Sequence, residues 1–242
     1  MILHIPHASI EIPFLDGYQL PLQRLQEEMH LLTDHYTAEL FRRENATIIQ
    51  SPCSRIFCDM ERFEDDVHEP MSRFGMGVLY KHTDSGEHMR EVNEQLREQI
   101  LEGYYRPHHR RFASAVDAEL RATGHVLIID CHSYPDQPLQ RDQEKRLPRP
   151  DFNIGTDSFH TSKALIEKAS EFFVERGYSL GVDWPYAGSI VPMVHYRKDQ
   201  RVQSIMLEVN RRLYMDERSG DKLPQFDSIR EVVQKFLGAI EN

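Results

Sequence analysis

The chain is poor in cysteine, with only Cys53, Cys58 and Cys131 among 242 residues. So small and odd a number is no disulfide framework, and it fits a reducing compartment. Long apolar runs are missing. The longest holds about five residues, far short of the ~20 that a membrane-spanning helix needs. Positive charge is also in short supply. Against 39 Asp and Glu stand 29 Lys and Arg, a net charge of −10. An acidic chain is a poor partner for nucleic acid or an anionic membrane, and the local RPHHRR at 106–111 does not reverse this. The opening MILHIPHASIEIP lacks the basic stretch and small-residue cleavage site of a signal peptide, so the expected location is cytoplasmic. No repeat recurs at a fixed period. With 40% hydrophobic and 28% charged residues, disordered and collagen-like classes are excluded.

Histidine, by contrast, is plentiful. Thirteen are present, about twice the ordinary share. Histidine is the commonest metal ligand and a frequent general base, so each position matters. Short apolar runs at Met1–Ile5, 46–50, 126–130, 190–194 and 204–209 have the length and β-branched content of strands. Pro192 makes the fourth an edge strand or a loop. Between them lie helical patterns: Met89, Val92, Leu96, Ile100 and Leu101; then Leu165, Ala169, Phe172 and Phe173, stopped near Gly177. The last is Ile229, Val232, Val233, Phe236, Leu237 and Ile240, with Asp227 placed to cap it. Strands alternating with helices predict an α/β fold with a largely parallel or mixed sheet, in one domain over 1–242. Residues 135–151 hold four prolines and eight charges, and read as a surface loop or flap beside the preceding motif.

In such sheets ligands gather at the carboxyl ends of strands. Three places there carry chemistry. His7 follows the first run, whereas His4 alternates with apolar neighbours and belongs in the sheet. Asp130, Cys131, His132 and Ser133 follow the third run. Asp130 suits a carboxylate that orients a neighbouring ligand, and Cys131 reads better as a small buried residue than as a nucleophile. Glu208 sits inside the last run, where burial would raise its pKa towards general-base use; a salt bridge to arginine is the competing reading. Asp34 precedes a helix-like stretch and could equally be an N-cap. Arg55 and Arg62 are a natural carboxylate clamp, or else surface partners of Asp59, Glu61 and Glu64. Two histidines at different strand ends, a carboxylate and a strand glutamate together make a catalytic zinc pattern.

Several segments in order resemble the N-formylglutamate amidohydrolase (deformylase) family: PHASIEIP, TDHYTAELF, SRIFCDMERF, YYRPHHRRF, VLIIDCHSYP, FNIGT, DWPYAGSIV and IMLEVNRRLYMDE. That family is similar in fold to zinc carboxypeptidases, which implies a three-layer α/β/α sandwich of the phosphorylase/hydrolase-like type. The resemblance implies one Zn2+ per chain held by His7, Asp34 and His132, with Glu11 the alternative second ligand. It makes Glu208 the general base, and Arg55 a group facing the developing oxyanion. Arg62, with Ser133, Asn210 and Gly188, would line the substrate side. Glu61 stands where the family has Asn, and pairing with Arg62 would weaken the clamp. The implied reaction is hydrolysis of an N-acyl amino acid, N-formyl-L-glutamate first, with a small molecule as partner. A related zinc carboxypeptidase or amidase, or a non-catalytic metal-binding protein, are the alternatives. His109 either assists the site or starts a helix.

Overall fold

The computed structural model describes residues 1–241. Its core is a six-stranded mixed sheet, and the chain is an α/β protein. The strands are β1 (Ile2–Ile5), β2 (Thr47–Gln50), β3 (Val126–Tyr134), β4 (Phe152–Gly155), β5 (Leu180–Val182) and β6 (Val202–Asn210). They lie in the order β2-β1-β3-β6-β4-β5. The first four of that order are mutually parallel, while β4 runs antiparallel to β6 and carries β5 parallel to itself.

The helices are α1 (Leu22–Leu32), α2 (Thr37–Leu40), α3 (Glu94–Ile100), α4 (Arg106–Thr123), α5 (Lys163–Val174) and α6 (Phe226–Glu241). Two-residue alternation in the strands sorts side chains between two faces. Ile2, Val126, Ile128 and Val202 pack with Phe112 and Val116 of α4. Leu3, Ile5, Ile129, Cys131, Ile205 and Leu207 pack with Phe172, Phe173, Phe236 and Leu237 of α5 and α6. Helices thus cover both faces of the sheet. Each fully buried Phe or Leu contributes roughly 1.5–3 kcal/mol to this arrangement.

Several elements differ from the sequence expectation. β3 does not stop at Asp130 but runs on to Tyr134, because Cys131 to Tyr134 stay in register with Leu207 to Asn210 of β6. Residues 190–194 form no strand. Beside Pro192, the Ile190 amide donates to the Asp130 carboxylate (3.1 Å) instead of to a neighbouring strand. Asp227 lies inside α6, where it pairs with Arg230 at 3.0 Å, rather than capping it. Asn93 caps α3 by accepting from the Leu96 amide, so Met89 and Val92 precede the helix. A single π turn, Leu101–Tyr105, joins α3 to α4. Pro107 follows this turn, and its missing amide accounts for the break in the α ladder.

Residues 135–151 are pinned rather than a free flap. Arg149 is buried and donates to the Pro135 carbonyl and the Asp142 carboxylate. Asp84 accepts from the amides of Gln140 and Arg141. The Asp84 amide in turn donates to Glu28 Oε1 of α1 at 2.7 Å. Burial pushes the Glu28 carboxyl up from 4.5 to about 7. The folded state therefore holds that proton more tightly than the unfolded chain, and stability falls as pH rises from 4.5 to about 7. A shift of this size corresponds to roughly 3 kcal/mol. Glu28→Gln keeps the acceptor and removes the ionisation. Its stability relative to the parent should rise by that amount between pH 4.5 and pH 8, read from denaturant unfolding at a series of pH values. A difference that stays flat with pH would contradict this.

Candidate metal centre

The sheet register explains why the site forms where it does. His4 pairs with Asp130 across β1 and β3, and His132 pairs with Glu208 across β3 and β6. Asp130, His132 and Glu208 alternate with apolar residues, so all three project from the α4-facing side of the sheet. His132 and Glu208 lie near the carboxyl ends of parallel strands, and His7 lies just beyond that of β1. This is where an α/β sheet places its ligands.

Asp34 enters from the segment between α1 and α2. It is not the cap of α2, a position Tyr36 occupies. Its amide donates to the His7 carbonyl at 3.0 Å, fixing the loop over the end of β1. Its carboxylate points inward. Asp34 Oδ2 lies 3.1 Å from His132 Nδ1 and 3.7 Å from His7 Nδ1. Ligand atoms of His7, Asp34 and His132, all buried, lie within 4.8 Å of one another. Glu11 takes no part. It is exposed, and its carbonyl instead accepts from the Ser54 amide.

The far nitrogens of both histidines are also held. His7 Nε2 lies 2.8 Å from Asp59 Oδ1. A carboxylate only accepts, so Nε2 carries the proton and the His7 Nδ1 lone pair is left buried without a partner. His132 Nε2 lies 3.1 Å from both Asp130 Oδ1 and Glu61 Oε2. A carboxylate behind each imidazole fixes its ring and tautomer and raises its basicity. Burial opposes a charge on His132, but Glu61 and Asp130 outweigh it and hold its pKa well above the ordinary value. Burial would raise the Asp34 carboxyl, yet His132 and His7 hold it far below the usual carboxylate range. A proton on His132 Nδ1 thus occupies the position that a cation would take. Two imidazole nitrogens and one carboxylate oxygen, with an orphaned buried lone pair among them, fit a divalent zinc-type ion.

Asp59 is the hub that sequence reasoning missed, having been seen only as a surface partner for arginine. It is fully buried. Besides His7, its oxygens accept from the Glu61 amide (3.0 Å), Tyr80 hydroxyl (2.8 Å) and Arg55 Nη2 (3.1 Å). Burial pushes its carboxyl up, but His7, Arg55 and Arg62 hold it well below the usual range. Arg62 Nε approaches Asp59 and Glu69 no closer than 3.7 and 3.8 Å, and this buried nitrogen has no hydrogen-bond partner. Glu61 does not pair with Arg62 as its adjacency suggested. It turns to His132 and His4 instead. Arg211, also missed, donates to Asp34 Oδ1 at 3.1 Å and to the Leu31 carbonyl. It follows Asn210 directly, and only the fold brings it to a loop far away in sequence.

Glu208 is 6% exposed, and its Oε2 is buried with no hydrogen-bond partner. No arginine pairs with it among the ion pairs of the described residues. Burial pushes its carboxyl up from 4.5 to about 8, aided by Asp34 and Glu61 and opposed by His132.

The remaining candidates divide. Ser133 donates its amide to Asp34 Oδ2 (3.2 Å), and its hydroxyl accepts from Arg211. Asn210 is fully buried, with both amide hydrogens on Asp136 and Pro150 and its oxygen on the Arg212 amide. Through Asp136 and Pro150 it braces the 135–151 loop. Gly188 has a positive φ of 98°, and its carbonyl lies where a side chain on Gly155 would sit. Cys131 is buried in the core, and burial raises its thiol far above the ordinary value, which suits no nucleophile. His109 lies within α4 and packs on Tyr105, while its neighbour His108 reaches His4.

Among the described residues no helix is long and apolar enough to cross a membrane. Comparison with curated proteins found no match. Solved structures similar in fold include the following two. One is an N-formylglutamate amidohydrolase from Ralstonia eutropha JMP134, at TM-score 0.84 and 21% identity, covering 99% of this chain and 92% of that one. The other is a gene product of Agrobacterium tumefaciens, at TM-score 0.69 and 20% identity, covering 100% and 91%. The sequence model of the N-formylglutamate amidohydrolases matches residues 1–215. That match spans the whole sheet and every residue of the centre just described, and the chain belongs to the N-formylglutamate amidohydrolase family, among the amide hydrolases.

Proposed function

We propose that the protein is a zinc-dependent amidohydrolase acting on N-formyl-L-glutamate, releasing formate and L-glutamate. The observation that carries this reading is the convergence of His7 Nδ1, Asp34 Oδ2 and His132 Nδ1, with a carboxylate behind each histidine. These three residues would hold the ion. When bound, it would supply Lewis acidity and a water of lowered pKa.

The chain's own residues do the rest. Glu208 accepts the proton of the attacking water and passes it to the departing amine. A carboxyl poised near neutrality is suited to both transfers. Arg55 faces the negative charge that grows on the carbonyl oxygen, held in place by Asp59 and Tyr80. Arg62 takes the substrate carboxylate. Its buried, unpartnered Nε supports that assignment, and so does the turning of Glu61 away from it. The three cysteines are free and buried, which suits the cytoplasmic location that forms part of this reading.

The test is formate release from N-formyl-L-glutamate set against N-acetyl-L-glutamate and short peptides. Preference for the acetyl or peptidyl substrate would move the assignment to a related amidase. A narrower expectation concerns Arg62. Hydrogen bonds to charged groups contribute about 1.5–3 kcal/mol, or roughly 10- to 150-fold. Arg62→Ala should raise KM for N-formyl-L-glutamate within that range while kcat changes less. A fall confined to kcat would place Arg62 at the reacting carbonyl instead.

A further inference from the structure

A second group of metal-type donors lies behind the first. His4, Glu61 and Asp130 also bring ligand atoms within 4.8 Å of one another. His4 Nδ1 is 3.1 Å from Asp130 Oδ1 and 3.6 Å from Glu61 Oε1. Donors arranged tetrahedrally at ~2.0–2.1 Å from a zinc-type ion lie ~3.3 Å apart, so these separations suit a shared ion.

The wiring of the three residues leaves the right atoms over. Glu61 uses Oε2 on His132, whereas its Oε1 is buried with no hydrogen-bond partner. Asp130 uses Oδ2 to accept the Ile190 amide, which leaves Oδ1 facing His4 and His132. His4 is fully buried in β1, stacked on Phe112 at 4.8 Å, with its Nε2 at 3.0 Å from His108 Nε2. An Nε2–H donating to His108 would set the tautomer in which Nδ1 is a free ligand. The ion pairs of Glu61 and Asp130 among the described residues are to histidines, with no lysine or arginine. Asp130 is buried, and Glu61, itself partly exposed, has an enclosed Oε1, so a cation between them would offset their charge.

We propose that His4, Glu61 and Asp130 form a second site for a divalent transition-metal ion of the zinc or cobalt class. It lies on the far side of the His132 ring from the first. Its nitrogen-and-two-oxygen donor set favours such ions over magnesium. Glu61 then has two jobs, one oxygen on the second ion and the other orienting His132 for the first.

The test is metal stoichiometry. The full chain is stripped with chelator, equilibrated with Zn2+ or Co2+, desalted, and assayed by mass spectrometry. Two ions per chain are expected. Glu61→Gln, which keeps an acceptor for His132, and His4→Phe, which keeps the stack on Phe112, should each bind one. His7→Ala should also bind one, lost from the other site. Circular dichroism confirms that each variant is folded, and the two second-site variants check one another. A single ion that persists in both Glu61→Gln and His4→Phe overturns the proposal and leaves the first site standing. Two ions that persist in both also overturn it. One ion lost in those variants but kept in His7→Ala supports the second site and removes the first. No ion under any loading overturns both.

Discussion

Glu208→Gln should lower kcat for N-formyl-L-glutamate by at least ~10²–10⁴-fold, the range for losing a positioned general acid–base. Its zinc content should stay that of the parent. The substitution is close to isosteric and replaces a carboxyl that already lacks a partner at Oε2. It should therefore cost little stability. Burial already favours the uncharged form, so an amide is tolerated where an unpaired carboxylate is not. Single-turnover formate release, metal analysis and thermal unfolding of the same preparation separate the possibilities. A loss of turnover together with loss of metal would make Glu208 a ligand. Retained turnover would remove it from the proton-transfer path.

The second large effect is loss of the ion itself. His132→Ala removes one of the three proposed ligands and leaves Asp34, Asp130 and Glu61 around a vacated position. The ion of the first site should no longer survive desalting, and activity should fall to background. Asp59→Asn probes the outer hydrogen bond to His7 without touching a ligand. Mutation of such an outer partner typically costs 10–100-fold in metal affinity or activity, and here the change is loss of its charge. Competition against a chromophoric chelator would read both variants. Parent-like affinity in Asp59→Asn would show that the negative charge behind the His7 ring is dispensable and a neutral acceptor suffices.

Legibility of the fold followed the physics of each element. β1, β3 and β6 announce themselves because buried parallel strands must be apolar on both faces. Phe236 and its neighbours do so because α6 lays one apolar stripe on the sheet. β4 and β5 were missed. FNIG and LGV are too short for periodicity to show, and Asn153 is a buried polar residue that hydrogen-bonds the Tyr186 carbonyl and Trp184 amide. Residues 190–194 misled for the opposite reason. Val191 is apolar because it packs against the α4 face of the sheet, not because it pairs.

The centre divides likewise. His7, Asp34 and His132 stand in short motifs at strand ends or in the loop above them, so the sequence could point to them. Their supports could not be found that way. Asp59 meets His7, and Tyr80 meets Asp59, across wide stretches of chain, and Arg211 meets Asp34 across nearly the whole of it. Asp130 is the exception. An acid ending an apolar run signals a reason for being there, and it does hold His132.

The most direct test of the account is metal content of the untagged protein, measured alongside formate release from N-formyl-L-glutamate before and after chelation. Zinc bound through His7, Asp34 and His132, and formate release that stops with chelator and returns with zinc, is the predicted result. Formate release that continues unchanged in protein shown to be free of metal would contradict it.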